Sequence, residues 1–375
     1  MSATVSFIDL QSQYKRLKPQ IDARIHAVLD HGQFILGPEV AEFERALGAY
    51  CGGVDVVGVS NGTDALMMAL MAHDIGAGDA VYVPSFTFSA TAEVVLLLGA
   101  TPVFVDVSPD TFNLDVNDLA LKIAQTQNLR PRAVIAVDLF GLPADYRRIS
   151  DIAAAHNMHV IADAAQGLSG AIDGVRVGKL APLTATSFFP AKPLGCFGDG
   201  GALFTSDPAM AEKLRSIRQH GNGKVKYDTV RVGLNARLDT LQAAILLAKL
   251  TILEDERNSR EALSRIYDAR LSNLVTVPAR PSGYVSAWAQ YTIQINQRDR
   301  VQAAMAQAGI PTQVYYPRPM HLQPAYAAHG SGEGSLPVSE NLSRTVLSLP
   351  MHPYMPEGVA HRICDALSAA VTAGG

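Results

Sequence analysis

Between about residues 55 and 205 the chain alternates short β-branched runs with runs whose apolar residues recur at helical spacing. This alternation constrains the fold more than any other feature. Residues 80–84, 102–105, 133–137 and 159–162 read as buried strands, and residues 90–98, 116–124 and 146–156 between them read as helices. Strand, helix, strand in succession predicts an α/β architecture with a mostly parallel central sheet flanked by helices. After residue 205 the alternation fades. A helix over 208–219, a polar stretch over 220–228, a long helical run over 238–264 and a strand over 290–295 follow. The expected plan is a large domain over residues 1–250 and a smaller C-terminal α+β domain over 251–375, which suits a length of 375 residues.

Composition removes several function classes. A formal charge of −4 provides no basic face for nucleic acid and no polybasic patch for anionic lipid. The first ten residues lack a basic start followed by an apolar run, and no stretch has the length of a membrane span, so neither a secretory leader nor a membrane partner is expected. Cys51, Cys196 and Cys364 are scattered and odd in number, which suits a reducing cytoplasm and gives no disulfide framework. No set of His, Cys or carboxylate residues has metal-ligand spacing, so no metal is expected.

Three segments fall where an open α/β sheet places its ligands, beyond the carboxyl ends of the strands. In Ser60-Asn61-Gly62-Thr63-Asp64 a glycine leads straight into a helical run. The free amides of that helix start suit a phosphate, and equally a plain N-cap. In Ala162-Asp163-Ala164-Ala165-Gln166 a carboxylate emerges from a buried strand. It reads as a functional acid or as a helix cap, with Gln166 able to join either. In Ser187-Phe188-Phe189-Pro190-Ala191-Lys192-Pro193-Leu194-Gly195 a lysine sits among aromatic, proline and glycine residues. Apolar surroundings lower a lysine pKa and prepare an amine for Schiff-base chemistry, and a surface loop lysine is the rival reading.

Taken in this order, with Gly198-Asp199-Gly200-Gly201 following, the segments resemble the DegT/DnrJ/EryC1/StrS family of sugar aminotransferases, which have PLP-dependent transferase fold type I. The likeness runs from Phe7-Ile8-Asp9-Leu10 to Leu347-Ser348-Leu349-Pro350-Met351-His352-Pro353. It implies pyridoxal 5'-phosphate (PLP) as cofactor, Lys192 as its covalent attachment, and Asp163 at the pyridine nitrogen. It further implies Gln166 at the ring 3-hydroxyl, Phe88 against the ring face, and Gly62, Thr63 and Ser187 at the phosphate. Asn235 would reach the phosphate from a neighbouring subunit, which implies a homodimer. Family members that deoxygenate sugars carry His in place of the lysine, so Lys192 places the chain with the transaminases. L-glutamate is the implied amino donor.

The segments around Lys192, Arg231 and Arg237 are similar to the subgroup that aminates C3 of UDP-2-acetamido-2-deoxy-3-oxo-glucuronate for surface polysaccharide synthesis. Arg237 would bind the sugar carboxylate, or else pair with Asp239 as a helix-start arginine. Tyr315 and Tyr316 are the other substrate candidates. Relatives commonly have His at the position of Tyr315 and a neutral residue or His at that of Asp138, which is expected at the pocket rim. The alternatives are the same chemistry on a 4-keto-6-deoxy sugar nucleotide or an eight-carbon keto-sugar acid, and a non-catalytic PLP-binding regulator. The last would need a DNA-binding segment, for which the chain has no spare domain.

Overall fold

The computed structural model describes residues 5–225 and 227–373. Two helices, α1 (Leu10–His31) and α2 (Pro38–Tyr50), precede the alternating region. That region consists of β1 (Asp55–Val59), α3 (Gly62–Ala72), β2 (Asp79–Pro84), α4 (Ala90–Leu97), β3 (Thr101–Val105), α5 (Val116–Gln125), β4 (Arg130–Val137), α6 (Tyr146–Ala155) and β5 (His159–Asp163). A small hairpin, β6 (Ala171–Ile172) and β7 (Val175–Arg176), leads to β8 (Leu183–Ser187) and β9 (Gly201–Thr205). The central sheet has seven strands in the order β1-β9-β8-β5-β4-β2-β3. Strand β9 pairs antiparallel with both neighbours, and the other pairings are parallel. The α/β expectation and its mostly parallel sheet are therefore met.

The strands are buried on both faces, which explains why they read as continuous apolar runs instead of alternating ones. One face packs Val57, Val81, Val83, Ile135 and Ile161 against α3, α4 and the next helix, α7 (Pro208–Ile217). The opposite face packs Tyr82, Val134, Ala136 and Val160 against α5 and α6. Each such side chain contributes about 1.5–3 kcal/mol by leaving water. Helix starts are fixed locally: Asn61, Asp115, Asp145 and Asp207 each accept a bond from an amide two or three residues on. Each such cap stabilises its helix by about 1 kcal/mol.

The long helical run expected over 238–264 is two helices, α8 (Thr240–Leu250) and α9 (Leu253–Leu271). At the break Thr251 Oγ1 donates to the Ala248 carbonyl at 2.7 Å and the Ile252 amide to the Lys249 carbonyl at 3.2 Å. Helix α8 packs on α1 and α2, while α9 packs on α12 (Glu357–Thr372). The C-terminal part adds β10 (Tyr284–Val285), β11 (Tyr291–Gln294), α10 (Arg298–Gln307), α11 (Pro337–Thr345) and β12 (Val346–Leu349). Strands β11 and β12 pair antiparallel and enclose an apolar core of their own with α9, α10 and α12. Val5, from the start of the chain, is buried in that same core. Among the described residues no helix is long and apolar enough to cross a membrane, and no group of three or more metal-binding side chains occurs.

Candidate active site

The parallel strands all end on one edge of the sheet, and the three segments singled out in the sequence meet there. Gly62 opens α3 directly after β1, Asp163 ends β5 and Ser187 ends β8. Gly201 pairs with both Val59 and Ser187, and this register brings the first and third segments together. A Cβ on Gly62 would lie 2.8 Å from the Ser187 Cβ, so glycine is required for this approach. Asn61 caps α3 by accepting from the Asp64 amide at 2.7 Å. The amides of Gly62 and Thr63 stand in the first turn, where no earlier helical carbonyl exists to accept from them. With the Ser187 hydroxyl beside them they form an anion cradle at the positive end of a helix dipole.

Asp163 is buried at 6 % exposure. Its Oδ2 accepts from Thr91 Oγ1 at 2.9 Å and its Oδ1 from the Ala165 amide at 3.2 Å. Burial raises its pKa, while those two bonds and the Lys192 charge act against the rise. Lys192 shows the mirror image: burial lowers its pKa and the Asp163 charge opposes the change. Burial therefore drives both groups toward neutrality, and each retains its partner's field. An amine held this way sheds its proton more readily than a free lysine, as a nucleophile must.

Gln166 is held at both ends. Its Oε1 accepts from the Phe140 amide at 2.6 Å and its Nε2 donates to the Tyr316 hydroxyl at 3.3 Å. Tyr316 also stands near Phe86 and Phe88, with ring centroids 6.2 and 6.3 Å away. Phe88 is 56 % exposed, an open aromatic face on this edge. Tyr315 lies edge-on to Phe7 at 6.4 Å, which brings the N-terminal segment to the same region.

Between Asn235 and Arg237, the Ala236 carbonyl accepts from the Ser60 amide at 3.3 Å, which ties this stretch to the first segment. Arg237 Nη2 donates to Asn235 Oδ1 at 2.5 Å, and among the described residues it makes no salt bridge to Asp239. Among the described residues, neither has a hydrogen bond to the Lys192 or Asp163 segments of the same chain.

The sequence model of the DegT/DnrJ/EryC1/StrS aminotransferase family matches residues 15–368. The protein belongs to that family. A relative in Pseudomonas aeruginosa, the UDP-2-acetamido-2-deoxy-3-oxo-D-glucuronate aminotransferase, is 46% identical over 97% of this chain and 99% of its own. A DegT/DnrJ/EryC1/StrS aminotransferase structure from Brucella abortus is 50% identical, with a TM-score of 0.95 over 98% of this chain and 99% of that one. Streptomyces venezuelae DesV, solved with a ketimine intermediate, is 40% identical with a TM-score of 0.94, covering 98% of this chain and 99% of its own. The protein is a PLP-dependent aminotransferase of fold type I.

The residues present fit that cofactor. The Gly62, Thr63 and Ser187 cradle suits a phosphate, and Asp163 is a buried carboxylate held in place from two sides. Lys192 is a desolvated amine within its field. Several supporting residues were missed in the sequence. Thr91, in the first turn of α4, carries no pattern that marks it as a partner of Asp163. Lys249 read as part of a buried helix, yet its Nζ donates at 2.6 Å to the carbonyl of Gly195 and so braces the Lys192 loop. Burial pushes the Lys249 amine down to about 8. His321 bridges Ser85 (2.6 Å) and Glu340 (3.2 Å), which ties the β2 end to the segment carrying Tyr316.

One sequence expectation is corrected. Asp138 is not at the pocket rim but fully buried, with 0% exposure, under the turn that carries Gln166. The shortness of Gly167 makes room for it: a Cβ there would lie 2.4 Å from Asp138 Oδ2.

Proposed function

We propose that the protein transfers the amino group of L-glutamate to C3 of UDP-2-acetamido-2-deoxy-3-oxo-glucuronate, in the cytoplasm, as a step toward a surface polysaccharide. The observation that carries this reading is the 46% identity, over 97% of the chain, to the Pseudomonas aminotransferase whose name states that substrate. When bound, PLP supplies a carbonyl that takes up an amino group and a ring that accepts electrons from the carbon being deprotonated. Lys192 is then the residue that removes the proton from the donor α-carbon and later delivers one to the sugar carbon. Asp163 keeps a proton on the ring nitrogen. Gly62, Thr63 and Ser187 bind the phosphate, Phe88 covers the ring face, and Gln166 orients the 3-hydroxyl. One base serving two successive half-reactions predicts ping-pong kinetics.

Asn235 and Arg237 act across the interface of a homodimer, Asn235 on the cofactor phosphate and Arg237 on the sugar carboxylate. Exposed Val225, Val230 and Val232 on the segment before them, and exposed Phe189 and Phe197 on either side of Lys192, support such an interface. Tyr315 and Tyr316 face the sugar. Arg237→Ala is expected to raise KM for a carboxylated sugar nucleotide by about 10–100-fold, the worth of a charge-assisted pair of hydrogen bonds. KM for a neutral keto-sugar nucleotide should change little. Equal losses on both would make Arg237 a structural residue.

The Tyr315 departure favours a second reading, the same transfer to a keto-sugar nucleotide without a carboxylate. The deciding experiment has two stages. The PLP-loaded protein is mixed with L-glutamate, with loss of its visible absorption band and release of oxoglutarate expected. Carboxylated and neutral keto-sugar nucleotides are then offered as acceptors. Amination confined to neutral acceptors would replace the first reading with the second, and a band unmoved by glutamate would remove glutamate as donor.

A further inference from the structure

Asp138 follows β4, and its amide donates at 3.0 Å to the carbonyl of Asp163 on the adjacent strand β5. Its side chain lies under the two turns that complete this part of the site. Oδ1 accepts from the Ala144 amide at 2.9 Å and from the Tyr146 hydroxyl at 2.6 Å, which fixes the path of residues 138–146. That path carries the Phe140 amide, which holds Gln166, and Phe140 adopts φ 57 there. Asn113 braces the same turn through the Leu139 amide at 3.0 Å and the Leu142 carbonyl at 2.9 Å. Oδ2 is different. It is buried, it has no hydrogen-bond partner, and it faces the space where Gly167 lacks a Cβ.

Among the described residues, the charged and titratable groups that face Asp138 are Tyr146 from α6 and Asp163 from β5, and neither is a cation. A carboxylate in this position would be a buried charge with one oxygen unsolvated and a second carboxylate beside it, an arrangement costly enough to be relieved by binding a proton. We propose that Asp138 is a positioning residue that holds a proton in mildly acid solution and gives it up across neutrality, so that below neutral pH it clamps as an uncharged group the turn that aims Gln166 and adds no second negative charge beside Asp163. Burial pushes the Asp138 carboxyl up to about 7, in keeping with that geometry. The proton comes from solvent on folding and returns to solvent as the pH rises. The inference rests on the assignment of Asp163 and Gln166 to the cofactor site made above, but its main readouts concern Asp138 itself.

The test uses the PLP-loaded enzyme and its D138N and D138A variants. In the wild type labelled with carbon-13 aspartate, infrared difference spectra between pH 6 and pH 8 should contain a protonated-carboxyl stretch that is lost at pH 8 and missing from D138N. Its absence from the wild type would overturn the proposal, even if neither variant folds. Thermal stability gives an independent sign. A folded-state pKa above the unfolded value stabilises below the unfolded pKa, and the contribution is lost as pH rises through the folded one. The melting temperature of D138N relative to wild type should therefore climb by on the order of a few degrees between pH 5 and pH 8. A difference constant across that range would mean that Asp138 is ionised throughout. D138A, which releases Ala144 and Tyr146, should lower kcat by about tenfold, and D138N should restore most of it. A D138N enzyme as impaired as D138A would sink the claim that a neutral group suffices. The infrared and melting arms stand or fall without any reference to transamination, so a failure there is separate from a failure of the proposed function.

Discussion

Replacing Lys192 by Ala is expected to lower kcat by at least about 10³-fold while the protein still folds, because a positioned proton-transfer group contributes about 10²–10⁴-fold and this one also serves as the covalent anchor. The visible band of the lysine-linked cofactor should be missing even at saturating PLP, while far-ultraviolet circular dichroism stays that of the wild type. The physical basis is burial. A desolvated amine gives up its proton at a lower pH than a free lysine, and the Asp163 charge limits the drop without reversing it. Lys192→Arg separates charge from basicity. Arginine would place a permanent positive charge there, but it stays protonated and cannot act as a base. It should be as inactive as the alanine variant. Turnover above about one per cent of wild type in either variant would remove Lys192 from the reaction.

The second large effect belongs to Asp163. Asp163→Ala is expected to lower kcat by about 10²–10³-fold, since it removes the carboxylate that would hold a proton on the ring nitrogen. Thr91 Oγ1 and the Ala165 amide lose their acceptor at the same time. The more informative substitution is Asp163→Asn, which keeps the shape and removes the charge. Burial raises the Asp163 pKa, so in cofactor-free protein the ionised carboxylate opposes folding as pH rises through its folded value. Asp163→Asn should then raise the melting temperature of the cofactor-free protein at pH 8. With PLP the order should reverse. Wild type gains stability by mass action with a ligand its charge helps to bind, and the asparagine variant gains less. If PLP raises both melting temperatures equally, the carboxylate does not face the cofactor.

Much of this site was legible because its parts are local. Asp163 lies at the end of a β-branched run, and a strand buried on both faces brings its last residue to the ligand edge whatever surrounds it. Lys192 stands between prolines and glycines that exclude a solvated helix face. Gly62 precedes a helical run, and the start of a helix exposes its amides by geometry alone. The residues that support these were not legible, because each acts across a long stretch of chain. Thr91 meets Asp163 from 72 positions away. His321 meets Ser85 from 236 away, and Lys249 meets Gly195 from 54 away. The break between α8 and α9 was missed for a related reason. Thr251 and Ile252 carry no glycine or proline, and a helix buried nearly all around shows no polar face whose loss would mark its end.

Asp138 illustrates the same division. Its type and position were visible, and from them a rim residue was expected. Its burial depends on the pairing of β4 with β5 and on the space left by Gly167, neither of which a linear pattern records. From its sequence alone this protein is determined as an α/β chain with a glycine-led helix start, a strand-end carboxylate and a loop lysine, since periodicity and turn chemistry act within a few residues. The tertiary structure decided which groups share a field and which are desolvated. Those properties are set by distance and burial in space, and residues far apart in the chain supply both.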